Sequence, residues 1–86
     1  MEKLIDSVLA EDKYQVKIQS AQHQIIADEP EDLGGKNTGM TPYELLSASL
    51  AACTSITLKM YAERKQWEVG EIHVTINFEE ISDSGT

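Results

Sequence analysis

One side chain in this sequence is suited to nucleophilic or redox chemistry: Cys53, the only cysteine in the chain. It lies in "TPYELLSASLAACTSITLKMYAERK", residues 41–65, where its neighbours carry a hydroxyl or a methyl at almost every position. At 100° per residue, Leu46, Ser49, Leu50, Ile56, Thr57 and Met60 share its helical face. A thiol in such apolar company is usually inert filler, because reactivity requires a nearby cation or donor to favour the thiolate.

The acid closest in the helix is Glu44, nine residues before Cys53. That spacing is 900°, the opposite face, and about 13 Å along the axis, so in a straight helix the two cannot touch. Tyr43 falls closer to the face of Cys53, at 280°, but about three turns away. Spacing alone therefore gives Glu44 a capping role.

The remaining candidates are thinner. His23 and His73 fall on the polar sides of expected strands, and no third ligand accompanies them, so neither a metal nor a cofactor is expected. "GGKNTG" (34–39) is not a phosphate loop, because Lys36 precedes the last glycine instead of following it. The acidic run "DEPED" (28–32) could bind a cation, but reads more readily as a solvated loop.

These residues need elements to carry them. "YQVKIQ" (14–19) alternates apolar and polar, "SAQ" (20–22) can turn, and "HQIIAD" (23–28) would return as a hairpin partner. "KLIDSVLA" (3–10) fits strand or helix equally well. Residues 28–42 hold two prolines and three glycines, which makes them a loop. A helix then starts at Thr41 as N-cap, with Pro42 at N1 and Glu44 at N3, the pattern of a capping box. It should run to about Arg64, with cations near its C-terminal end. No charge lies between Glu44 and Lys59, so such a helix should be covered nearly all round. "EIHVTINFEE" (71–80) alternates as a strand, with Ile72, Val74, Ile76 and Phe78 on one face.

Bulk properties bound the function. Eighty-six residues make one domain at most, and a chain this short buries only ~60% of its unfolded surface. Fifteen acidic residues against seven basic ones give a net charge of −8, which argues against nucleic acids and anionic membranes. The N-terminus has acids in its first dozen residues and does not read as a signal peptide. The charge-free run Leu45–Leu58 is fourteen residues long, short of the ~20 that span a bilayer. A single cysteine makes no internal disulfide and points to a reducing cytoplasm. An uncharged helix needs more cover than two hairpins supply. The chain is therefore expected to dimerise extensively or to be the front part of a longer protein.

"DEP…GG…TG…TPYELLSASLAACTSITLKMYAERKQW" resembles the OsmC/Ohr family of osmotically inducible and organic-hydroperoxide-resistance proteins, and within it the OsmC-like group with "TPYELL". The resemblance covers most of the chain and implies an α+β fold. Its short antiparallel strands would surround one long buried central helix in an intertwined homodimer. In the peroxidase members a cysteine on this helix attacks the O–O bond of an organic hydroperoxide, and by position Cys53 matches it. Those members have an "NPE" helix start with its glutamate ten residues before the cysteine; here Tyr43 holds that position and Glu44 is displaced by one. The family's activating arginine precedes the helix, yet residues 1–40 here contain none, and Lys36 is the nearest basic candidate. The family's resolving cysteine lies in a C-terminal half that this sequence lacks, so an external thiol, or one from an absent C-terminal portion, would act as resolver. The resemblance also leaves room for a non-catalytic dimeric domain, one that binds a small apolar ligand or is inactive through loss of the activating arginine and resolving cysteine.

Overall fold

The computed structural model describes residues 4–77 and 79. In chain order it has three strands, β1 (Asp6–Leu9), β2 (Val16–Ser20) and β3 (His23–Ala27), a 3-10 turn at Glu31–Leu33, and one helix, α1 (Pro42–Arg64). The α+β expectation holds in that form. Two compact units divide the chain, Met1–Leu45 and Leu46–Thr86.

The first unit is built on an antiparallel sheet of order β1-β2-β3. Val16 pairs with Ala27 and Ser20 with His23, so a two-residue turn, Ala21–Gln22, closes the hairpin expected from the alternation. Ala21 takes the left-handed backbone there, φ 54°. The ambiguous "KLIDSVLA" segment supplies β1, with Asp6 opposite Gln19 and Leu9 opposite Val16. On β2, Val16, Ile18 and Ser20 are half-buried while Lys17 and Gln19 are exposed, the period of two expected for a sheet with one covered face. Tyr14, read above as part of this strand, lies just before it. Its ring lies close to Gly34, where a Cβ would come within 3.2 Å of the ring edge.

α1 dominates the second unit, and its start and stop are both chemically marked. At the N-terminus the Thr41 N–H donates to Glu44 Oε1 at 2.9 Å, and the Glu44 N–H donates to Thr41 Oγ1 at 3.2 Å. This reciprocal pair is the capping box the sequence suggests. At the other end the Trp67 N–H bonds to the Ala62 carbonyl at 2.8 Å and the Gln66 N–H to the Glu63 carbonyl at 3.0 Å. With Gln66 left-handed at φ 61°, these two bonds form a Schellman cap. The apolar contact that usually accompanies such a cap is supplied by Trp67 and Tyr61, edge to face with centroids 5.7 Å apart.

The central helix is left uncovered by the described residues of this one chain, which is the gap from which dimerisation or a longer chain is expected. Ala62 is its one buried residue, whereas Leu46, Leu50, Ile56, Leu58 and Met60 are all at least half exposed. Its apolar residues are spread round the axis, with no single stripe for a sheet to cover. By length and composition α1 is also apolar enough to cross a membrane, a property shared by core helices of soluble proteins; its charge-free stretch is fourteen residues. One expectation needs correction, the strand read at "EIHVTINFEE". Residues 71–77 and 79 form no strand, and Phe78 and Glu80 lie outside the described residues. The periodicity itself is real: Ile72, Val74 and Ile76 are half-buried between exposed neighbours. A strand also requires a hydrogen-bonding partner, and among the described residues none of the backbone bonds found outside helices and strands involves residues 71–77.

Candidate functional site

Cys53 sits near the middle of α1, in its free form and exposed. No hydrogen bond or ion pair engages it among the described residues. Glu44 and Tyr43 both lie in the first turn of the same helix. The carboxylate of Glu44 is committed to the Thr41 amide, so its capping role explains its position. Nine residues of helix separate it from Cys53 by about 13 Å, on the opposite face. One chain therefore does not bring the three sequence-predicted residues together. Lys36, the nearest basic candidate, places its ammonium 3.6 Å from an Asp12 carboxylate oxygen, and both side chains are well exposed. Such a surface pair contributes ~0–1 kcal/mol.

His23 is exposed at the start of β3. His73 is also exposed, with Nε2 2.9 Å from a Glu71 carboxylate oxygen. Among the described residues, no three His, Cys, Asp or Glu side chains gather as a metal site would require.

The most elaborate polar construction lies elsewhere, at a residue read above as part of a solvated acidic loop. That reading is wrong for Asp28, which is 2% exposed and the one buried polar residue among those described. Its Oδ2 accepts from the Thr38 hydroxyl at 2.6 Å, from the Thr38 N–H at 3.2 Å and from the Lys36 N–H at 3.4 Å. Its Oδ1 accepts from the Glu29 N–H at 2.7 Å. The Thr38 hydroxyl in turn accepts from the Gln15 side-chain amide at 3.0 Å, so an uncharged chain of donors ends on the carboxylate. The Thr38 hydroxyl bond is the main cause holding this carboxyl below its ordinary 3.8; burial works in the other direction, and the three backbone N–H bonds assist the hydroxyl.

Two glycines allow the loop to fold this closely. A Cβ on Gly35 would lie 2.0 Å from the Glu29 carbonyl oxygen, and one on Gly39 would lie 2.0 Å from that of Ile26. The signal for this arrangement was present in "DEP…GG…TG", which carries the buried acid, both glycines and the threonine. Spacing gave no indication that an acid would turn inward to donors eight and ten residues ahead.

No curated protein and no solved structure matches the chain significantly. A family comparison does match: the OsmC-like protein family aligns with residues 35–86, more than half of the chain. The aligned part begins at Gly35 and takes in the capping box, all of α1 with Cys53, and the Schellman cap. On that match, the chain belongs to the OsmC-like protein family.

Proposed function

We propose that the protein is a thiol-dependent peroxidase acting on organic hydroperoxides, with Cys53 as nucleophile, within the stress- and redox-related theme of its family. The observation that carries this reading is an accessible, unpaired thiol in the middle of the family-matched helix. In the first step the Cys53 sulfur attacks one peroxide oxygen and the O–O bond breaks. An S–O bond forms, giving a sulfenic acid, and the alcohol leaves after taking up a proton. An external thiol then attacks the oxidised sulfur, releasing water and leaving a mixed disulfide. A second thiol restores Cys53 and departs as the oxidised reductant. Each turnover thus consumes one hydroperoxide and two thiols, with no cofactor. A nucleophile that must return to the thiol in every cycle belongs in a reducing compartment, here the cytoplasm.

The same reading makes the protein a homodimer. The exposed Leu46, Leu50, Ile56, Leu58 and Met60 are the cover-seeking surface a second chain would remove from water. Light scattering after size exclusion should give about twice the chain mass. The catalytic test is treatment with cumene hydroperoxide, followed by a sulfenic-acid probe. Wild type should label and Cys53→Ser should not; equal labelling would exclude Cys53 as the nucleophile.

A second reading, a non-catalytic dimeric domain that binds a small apolar ligand, draws on one observation. Among the described residues no cation or hydrogen-bond donor engages Cys53, and residues 1–40 contain no arginine. That reading predicts no hydroperoxide turnover and an unchanged dimer in Cys53→Ala.

A further inference from the structure

Every backbone N–H from Leu33 to Thr38 has an acceptor inside its own loop. Leu33 and Gly35 donate to the Pro30 carbonyl, Gly34 to Glu31 and Asn37 to Glu29, each at 3.0 Å. Lys36 and Thr38 donate to the Asp28 carboxylate. Six consecutive amides are thus satisfied within the loop, those of Leu33 and Gly34 by the 3-10 turn, and two of the six depend on one side chain. The loop's far end is fastened beside the same residue: the Asp28 N–H donates to the Met40 carbonyl at 3.0 Å, and Ala27 and Met40 form a parallel bridge. Asp28 therefore bonds the loop at its start, middle and end.

We propose that residues 28–40 form a clasp that opens and closes as one unit about the Asp28 carboxylate, and that the closed clasp presents Lys36 beside Asp12. Glu29 and Lys36 reach the Asp28 carboxylate through their backbone N–H groups; the segment before β2 contributes the neutral Gln15, bonded to Thr38, and Asp12, paired with the Lys36 ammonium. Opening breaks the bonds that Lys36 and Thr38 make to Asp28 together, since both residues lie between Gly35 and Gly39, which seat against the Glu29 and Ile26 carbonyls. The Thr41–Glu44 capping box lies outside the bonded set and stays closed when the clasp opens.

Hydrogen exchange read by mass spectrometry on the full chain tests this at neutral pH. In Asp28→Asn the side chain keeps its shape but loses its charge, and one of its two acceptor oxygens becomes an NH2 that must meet a loop donor on one side or the other. The amides of residues 33–38 should exchange ~10-fold or more faster, as expected when a buried donor loses its acceptor. Strands β2 and β3 should keep wild-type protection. Thr38→Val, which removes only the hydroxyl, should loosen the same six amides by a smaller factor, and Thr38→Ser should restore them. Wild-type protection of residues 33–38 in both Asp28→Asn and Thr38→Val overturns the proposal. So does a loss spread equally over β2 and β3 in Thr38→Val, which would make these bonds part of the global fold.

Discussion

The Thr38 hydroxyl hydrogen lies between two oxygens 2.6 Å apart, its own and Oδ2 of Asp28, ten residues earlier in the chain. A bond this short to a carboxylate is charge-assisted and stronger than one between neutral partners. It opposes the cost of burying Asp28, together with the Glu29, Lys36 and Thr38 amides. Since all four donors favour the ionised form, the bonds make stability depend on pH.

The sign follows from linkage. The carboxyl of Asp28 lies lower in the folded chain than its ordinary 3.8, first because of Thr38, so the unfolded chain binds the proton more readily. The contribution is complete above about pH 4 and is lost as pH falls through the lowered value. Thermal melts across pH 2–7 should show wild type and Asp28→Asn converging at the acid end, with wild type higher at pH 7. A constant gap at every pH would show that the carboxylate charge is not the source of the difference.

Gly35 and Gly39 should tolerate substitution poorly. A methyl at either would meet a backbone carbonyl oxygen at 2.0 Å, whereas one at Gly70 would meet nothing within 4 Å. Overpacking of this kind costs ~1–3 kcal/mol or more when the backbone must shift, while alanine in open space is worth about ±0.5 kcal/mol. Urea midpoints of Gly39→Ala and Gly70→Ala measure the difference; equal midpoints would mean that the close approach to Ile26 is not maintained.

How much of this was legible beforehand varies with the range of the interaction. The helix limits and the β2–β3 hairpin are local matters: a capping box, Pro42 at N1 and a period of two state them within a few residues. The Asp28 network joins positions 15, 28 and 38, and no local rule says which of four acids in "DEPED" turns inward. The segment 71–77 marks the opposite limit. Its alternation specifies which side chains are covered but carries no partner strand with it. The cover on α1 is likewise a property the charge-free run demands and one chain alone does not supply.

The C-terminal cap of α1 makes a graded prediction. Gln66 holds a left-handed φ of 61° at the position where helices most often place glycine. A non-glycine residue there costs ~1–2 kcal/mol, partly offset for glycine by the larger entropy of its unfolded chain, ~0.4–1 kcal/mol. Gln66→Gly should therefore raise stability by up to about 1 kcal/mol. Asn should match or slightly exceed Gln, and Val should fall below it, because β-branching disfavours this conformation. Midpoints in the order Gly, Asn, Gln, Val would bear out the cap; a flat series would sink it.

Glu44 separates capping from catalysis most cleanly. Its carboxylate accepts from the Thr41 amide while Thr41 Oγ1 accepts from the Glu44 amide. Breaking the second bond in Thr41→Ala should cost ~1 kcal/mol. Glu44→Gln keeps an acceptor at the same reach but removes the charge, which at a helix N-terminus is worth ~0.3–1 kcal/mol. If capping is its whole role, Glu44→Gln loses only that fraction of stability, and Cys53 is oxidised by cumene hydroperoxide at the wild-type rate. If a partner chain instead brings Glu44 to the thiol, the oxidation rate falls by tenfold or more, ~1.4 kcal/mol in the barrier, with the melting point barely moved. Measuring both quantities on the same variant decides between the two roles, because a cap defect moves stability and a catalytic defect moves rate.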